Sequence, residues 1–230
     1  MKTLGLLGGM SWESTVTYYK EINERVAKSL GGLHSAKILL YSVDFAEVEE
    51  QQTEGDWAGS AELLGRAAKG LVAAGADAIV ICTNTMHKVA DEVERAAGVP
   101  LLHIADATAD ALLAARIRRT ALLGTKYTML QDFYKSRLLA RGLDVLIPTP
   151  EDVEAVNRVI YQELCLGVIR DESRRDFVRI IRDLKEKGAE AVVLGCTEIG
   201  LLVRQKDSPL PVFDTTILHA EKAAAFAVSD

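Results

Sequence analysis

Two side chains in this sequence combine type and spacing in a way that points to chemistry, Thr83 and Cys196. Each lies eight residues after a glycine in a stretch that occurs twice, GADAIVICTNT over residues 75–85 and GAEAVVLGCTE over residues 188–198. The match is ungapped: Asp77 pairs with Glu190, Ala78 with Ala191, Val80 with Val193 and Thr83 with Cys196. A second pair supports it, Leu6-Leu7-Gly8-Gly9 against Leu122-Leu123-Gly124-Thr125. Two halves of one fold thus each carry a small nucleophilic or proton-carrying side chain at the end of an equivalent strand. If the halves face each other, the two side chains can flank one ligand, one removing a proton and the other delivering one.

The elements that must position these residues are read from apolar runs. Strands are predicted at Thr3–Leu7, Lys37–Val43, Ala78–Cys82, Leu101–Ile104, Thr120–Leu123, Asp144–Ile147, Glu190–Leu194 and Val212–Phe213. They are almost continuously apolar, as strands buried on both faces of a parallel sheet are. Helical spacing fills the intervals: Ala61, Leu64, Ala68, Leu71 and Val72; then Val153, Val156, Ile160 and Leu164; then Phe177, Ile180, Ile181 and Leu184. Gly75, Gly98, Gly142 and Gly188 stand where helices should stop. Alternation of strand and helix gives an α/β fold. The expected plan is two similar pseudo-symmetric lobes, each a parallel β-sheet flanked by helices, with the active site in the cleft between them. The first lobe takes residues 1–104 plus 214–230 and the second residues 105–213, with the last helix, Thr216 to Val228, returning to the first. Ligands in such sheets bind beyond the carboxyl ends of the strands, which selects Gly8–Ser11, Thr83–Thr85, Gly124–Thr128 and Cys196–Glu198.

Composition narrows the function. The 230 residues are 49% hydrophobic, enough for a sizeable core, and the net charge of −6 is mixed along the chain. Nucleic-acid binding needs a basic stripe, which is not found. No apolar run approaches the roughly 18–20 residues that span a bilayer, so a membrane partner is not expected. Met1–Met10 reads as a first strand, because no small-residue cleavage site follows it. Three cysteines without a C-x-x-C pair fit free thiols in a reducing cytosol, hence a cytoplasmic location.

The motifs carry unequal weight. Gly8-Gly9-Met10-Ser11 is neither G-x-G-x-x-G nor a P-loop; it is a tight strand-to-helix turn whose N–H groups could hold a small anion. Thr83-Asn84-Thr85-Met86-His87 follows a strand end, with Asn84 or Thr85 as helix cap. Capping accounts for one polar residue there; three in a row look like ligand contacts. His87 reads equally as a core or supporting histidine and as a catalytic one. Cys82 and Cys165 read as packing. Cys196 sits at a strand end before a helix start, where dipole and N–H groups should lower its pKa and make a thiolate. His34, His87, His103 and His219 have no metal-ligand spacing, so no metal is expected. His103 and Asp106 could meet at a strand end.

At Leu6-Leu7-Gly8-Gly9-Met10-Ser11, Asn84-Thr85-Met86-His87, Leu123-Gly124-Thr125 and Gly195-Cys196-Thr197-Glu198 the chain resembles the aspartate/glutamate racemase family, over nearly its full length. The resemblance implies a cofactor-independent amino-acid racemase, working without pyridoxal phosphate or metal on a small-molecule amino acid, often as a homodimer. Family members usually carry one cysteine per lobe, base and acid on opposite faces of the α-carbon. This chain departs from that: Thr83 holds the first position and Cys82 lies one residue early, on the opposite face of the strand. Thr83 and Cys196 are therefore the expected catalytic pair. A thiol can be tuned to take a proton near neutral pH, whereas a threonine hydroxyl can only relay or donate one. The two directions should be kinetically unequal, and the resemblance suggests that L-substrates are preferred. Substrate contacts are expected from Met10, Gln52, Asn84, Thr85, Thr125, Thr197 and Glu198. The segment after Val43 carries Asp44, Glu47, Glu49, Glu50 and Gln52 but no arginine, leaving Gln52 and other polar groups for a substrate side chain, or a wider substrate range.

Two alternatives stay open at this level. One cysteine suffices to protonate the carbanion left by loss of CO₂, as a decarboxylase or isomerase of the same superfamily would. A chain missing one proton carrier could also be a small-molecule binding protein.

Overall fold

The computed structural model describes residues 1–229. In chain order its elements are β1 (Thr3–Gly8), α1 (Trp12–Leu30), β2 (Lys37–Ser42), α2 (Phe45–Glu54), α3 (Trp57–Ala73), β3 (Ala78–Ile81), α4 (Ala90–Ala97), α5 (Ile104–Ala114), β4 (Arg119–Gly124), α6 (Lys126–Leu130), α7 (Asp132–Ala140), β5 (Asp144–Leu146), α8 (Pro150–Gln162), α9 (Asp171–Glu186), β6 (Ala191–Gly195), α10 (Ile199–Leu202), β7 (Val212–Asp214) and α11 (Thr215–Val228). The chain divides into two compact units, one of Met1–Ile104 with the chain from Thr216 onward, the other Ala105–Thr215.

The first unit holds a three-stranded parallel sheet in the order β2-β1-β3. β1 is buried throughout after its first residue, and pleating sends alternate residues to opposite faces. Leu7, Ile79 and Ile81 pack with Leu64, Ala68 and Leu71 of α3 and Val93 of α4. Leu4, Leu6, Val80 and Cys82 pack with Tyr18, Ile22 and Val26 of α1 and with Ala220, Ala223, Ala224 and Ala227 of α11. The alanine stripe has almost no side-chain bulk, so α11 lies close against the sheet. Lys2 N–H donates to the Ala227 carbonyl at 2.8 Å, and the Lys2 ammonium to Ser229 Oγ at 2.9 Å.

The second unit repeats the plan with one strand more, β5-β4-β6-β7, all parallel. Ala121, Leu123, Val192 and Leu194 pack with Val153, Val156 and Ile160 of α8 and Phe177, Ile180, Ile181 and Leu184 of α9. These are the helical stripes read from sequence, except that Leu164 lies past α8 in a 3-10 turn, Leu164–Leu166. Pro150 at the start of α8 and Thr149 before it, whose hydroxyl accepts from Asp152 N, fix that helix's beginning.

One expected strand fails. Over Leu101–Ile104 the structure has a single bridge, Ile79 to Leu101, and α5 begins at Ile104. Past that bridge the backbone groups go to side chains: the Leu102 carbonyl accepts from His219 Nε2, and Ile104 N–H donates to His87 Nε2. In the second unit the corresponding segment is β7, paired with β6 from Val192↔Val212. Gly75 and Gly188 follow the equivalent helices α3 and α9 with φ of 103° and 96°, a conformation that other residues adopt only with strain.

Candidate active site

In each unit the chemistry-bearing residues gather where two neighbouring strands end. β1 and β3 are paired through Leu7↔Ile81, so the Gly8–Ser11 turn lies beside Cys82–Thr85. β4 and β6 are paired through Gly124↔Gly195, so Thr125 lies beside Cys196. The approach of β4 to β6 is close: a Cβ on Gly124 would stand 2.7 Å from the Gly195 carbonyl oxygen.

The first turn joins β1 to α1 as expected, with one of its amides used inside the fold. Gly9 N–H donates to Thr15 Oγ1 at 2.9 Å, and the Thr15 hydroxyl donates to the Ser11 carbonyl at 2.8 Å. That amide is spent on α1, not held ready for an anion. Gly9 has φ 91°, and a side chain there would run into the Val43 carbonyl. Ser11 caps α1, accepting from Ser14 N. Met10 is buried in the apolar cluster that contains Met86. Gln52, on α2 and also buried, donates to Met86 Sδ at 3.0 Å. Met10, Gln52 and Met86 thus form one buried layer.

Thr83 is half-buried in an irregular stretch between β3 and a 3-10 helix, Thr85–Val89. Asn84 and Thr85 are buried. Asn84 occupies the N-cap position, but its side chain makes no capping bond. His87 is buried; its Nδ1 hydrogen-bonds the Thr83 carbonyl at 2.7 Å, and its Nε2 accepts from Ile104 N at 3.2 Å. Cys82 is fully buried in the apolar cluster facing α1 and α11, and burial pushes its thiol far up. It is packing, as its register implies.

In the second unit Thr125 caps α6, accepting from Thr128 N at 3.4 Å. Cys196 and Thr197 lead into Glu198, whose Oε2 accepts from Cys196 Sγ at 3.0 Å and from Thr197 Oγ1 at 2.7 Å. Both Cys196 and Glu198 are buried. The thiol is raised well above its ordinary value, first by burial, then by the negative charge of Glu198. This overturns the expectation of a thiolate favoured by a helix terminus. α10 has four residues, and a dipole that short does not offset burial beside a carboxylate. At rest Cys196 is a protonated thiol donating to Glu198. Sequence placed Glu198 among substrate contacts and missed its bond to the thiol; the i, i+2 spacing of Cys196 and Glu198 was the available signal. Half-buried Cys165 packs against the same cluster. His103 and Asp106 do not pair: Asp106 binds Arg137 at 3.2 Å, and the His103 ring lies 4.5 Å from that of His87. Among the described residues no cluster of three or more His, Cys, Asp or Glu could hold a metal, and no helix is long and apolar enough to cross a membrane.

Two parallel sheets of repeated plan, each with small polar side chains where its central strands end, define the class, a duplicated α/β protein. Residues 7–223 match the Asp/Glu/Hydantoin racemase family, and the chain belongs to it. A crystal structure assigned as an Asp/Glu racemase from Yersinia pestis is 56% identical, with TM-score 0.94 and full coverage of both chains. An aspartate racemase homologue from Pyrococcus horikoshii OT3 is 38% identical, with TM-score 0.86 and again full coverage of both. The broad specificity amino-acid racemase RacX of Bacillus subtilis is 23% identical over 229 residues, 96% of each chain.

Proposed function

We propose that this protein is a cofactor-independent amino-acid racemase of the aspartate/glutamate type, interconverting enantiomers by removal and return of the Cα proton. The observation that carries the reading is the buried Cys196–Glu198 bond at 3.0 Å. A raised thiol is a poor base alone, but the carboxylate beside it can take the thiol proton as substrate arrives. The thiolate then removes the Cα proton, and Thr197, also bonded to Glu198, keeps the carboxylate in place. Thr83 returns a proton to the opposite face; solvent then refills its hydroxyl and Glu198 releases the proton it took, while Cys196 keeps the one from Cα. Thr83 has no basicity to match a thiolate, so abstraction is fast from one enantiomer, here the L-form, and slow from the other. The equilibrium between mirror images is untouched; the bias is kinetic.

Met10, Gln52, Asn84, Thr85, Thr125, Thr197 and Glu198 belong to this proposal as the substrate-facing set, Met10 and Gln52 as its buried floor. The name of the Bacillus relative, broad specificity, supports a substrate range wider than the two acidic amino acids. A cytoplasmic homodimer completes the proposal. Trp12, Val16 and Tyr19 are exposed along one stripe of α1, an apolar surface suited to a second copy; light scattering at micromolar protein checks the mass.

The test is NMR of Cα–H exchange in D₂O with L- and D-aspartate, L- and D-glutamate and a broader amino-acid panel, no cofactor being added. Exchange faster on one enantiomer and lost in Cys196→Ala is the expected result; no exchange with any amino acid sinks the proposal. A second reading has one observation in its favour. A thiol protonated at rest is also what a decarboxylase needs to quench a carbanion, and CO₂ release from malonate-like acids would replace racemisation.

A further inference from the structure

We infer that His87 is a positioning residue that holds the Thr83 end of β3 in place for proton return, an inference that rests on the proposed racemase reading. The peptide after Thr83 lies outside regular structure, so the strand ladder does not fix its plane. The His87 ring does. Nε2 accepts a backbone N–H from Ile104, which only an unprotonated nitrogen can do. The proton therefore resides on Nδ1, which donates to the Thr83 carbonyl at 2.7 Å. One neutral ring ties the end of β3 to the first residue of α5, and both of its nitrogens are engaged.

The ring is itself confined. His103 and His219 lie edge-on to it, with centroids 4.5 Å and 5.5 Å away. His219 is fully buried and fixed at both nitrogens: Nε2–H donates to the Leu102 carbonyl at 2.5 Å, and Nδ1 accepts from Tyr18 Oη at 2.8 Å. A simple core histidine would need no such chain of contacts. This one ends on the backbone carbonyl of the residue assigned to carry the proton. Rotation of the Thr83–Asn84 peptide would move Thr83 on one side and the Asn84 amide on the other. A displacement of about an ångström can cost a catalytic step around a hundredfold.

The test separates exchange from inversion. With the enantiomer served by Cys196, Cα deuterium uptake needs only that thiol, whereas appearance of the mirror image also needs Thr83. In His87→Ala the ratio of inversion to uptake should fall about tenfold, with uptake kept within about threefold. His87→Asn retains an N–H near the Nδ1 position and should restore most of the ratio. General loss of folding would lower both rates together and leave the ratio unchanged. A ratio unchanged in His87→Ala with uptake kept within about threefold, while Thr83→Ala lowers it, overturns the inference alone. A ratio unchanged in Thr83→Ala overturns the assignment of Thr83, and the role of His87 with it. Independently of turnover, ¹⁵N NMR of the wild-type imidazole should show the proton on Nδ1; finding it on Nε2 overturns the inference whatever the rates.

Discussion

At the end of β3 a hydroxyl-bearing residue is backed by a neutral imidazole; at the equivalent end of β6 a thiol is backed by a carboxylate. The scaffolds around them are similar but not equal: β6 lies between β4 and β7, whereas β3 pairs with β1 and meets Leu101 in a single bridge. The difference lies in what stands two to four residues further on, His87 in one unit and Glu198 in the other. His87 has both nitrogens committed and offers orientation. Glu198 has a carboxylate oxygen beside a thiol proton and offers a place to put it. Repetition of a fold thus supplies equivalent positions, and the supporting residue decides which of them does acid–base work.

That contrast can be broken at several points. The largest effect should come from Cys196→Ala, which removes the abstracting group and should cut exchange about 10³-fold. Cys82→Ala, one position before Thr83 in the other unit, should leave exchange intact and cost about 1 kcal/mol of stability from lost packing. Equal activity losses in the two variants, in steady-state assays, would erase the distinction between them. Next is Glu198→Gln. It keeps the shape but not the charge, and should lower turnover about 10²-fold. Because Glu198's charge helps raise the Cys196 thiol, its loss should let the thiol titrate at lower pH, seen as ultraviolet thiolate absorbance. A thiol titration unchanged in that variant would dissolve the pair.

The first unit's histidines can be probed through stability. Burial lowers His219 from 6.5 to about 4. The unfolded chain therefore binds more protons between those values, and stability present above pH 6.5 should be lost as pH falls toward 4. The contribution is roughly 3 kcal/mol, visible in urea titrations across that window. His219→Gln should flatten the pH dependence, and a slope that persists in the variant would assign it elsewhere. The smallest effect sharpens the comparison: Thr83→Cys should speed reaction of the slow enantiomer about tenfold. No increase would mean that a thiol at the end of β3 does not suffice, and that a carboxylate partner like Glu198 is the missing part.

Much of this was legible in the sequence, and for a physical reason. Strands buried on both faces must be apolar, and amphipathic helices must space their core residues. The strands from Thr3 to Phe213 therefore declare themselves to within a residue or two, Leu101–Ile104 excepted. There the Leu102 carbonyl and the Ile104 N–H bond to His219 and His87, and pairing stops after one bridge. The family likewise shows in the strand-end motifs. What stayed hidden depends on side chains meeting backbone groups across turns. The Gly9 amide looks available until Thr15 is seen to take it. Cys196 looks activated until burial and Glu198 are weighed against the four residues of α10. His87 is one of four scattered histidines until its two bonds, to Thr83 and Ile104, are on view. Composition and periodicity describe which face a residue takes, and these facts turn on which atom it reaches.

The return of α11 to the first sheet sets an order of events during synthesis. Ala220, Ala223, Ala224 and Ala227 leave the ribosome more than two hundred residues after Leu4 and Leu6, with which they pack. At ~5–20 residues per second, the nascent first unit spends about ten seconds or longer with one face uncovered. The second unit has every strand and core helix within Ala105–Thr215 and can finish first. The unit begun before the other is thus closed after it, and a nascent chain stopped short of α11 would present Tyr18, Ile22 and the Leu4–Leu6 face to chaperones.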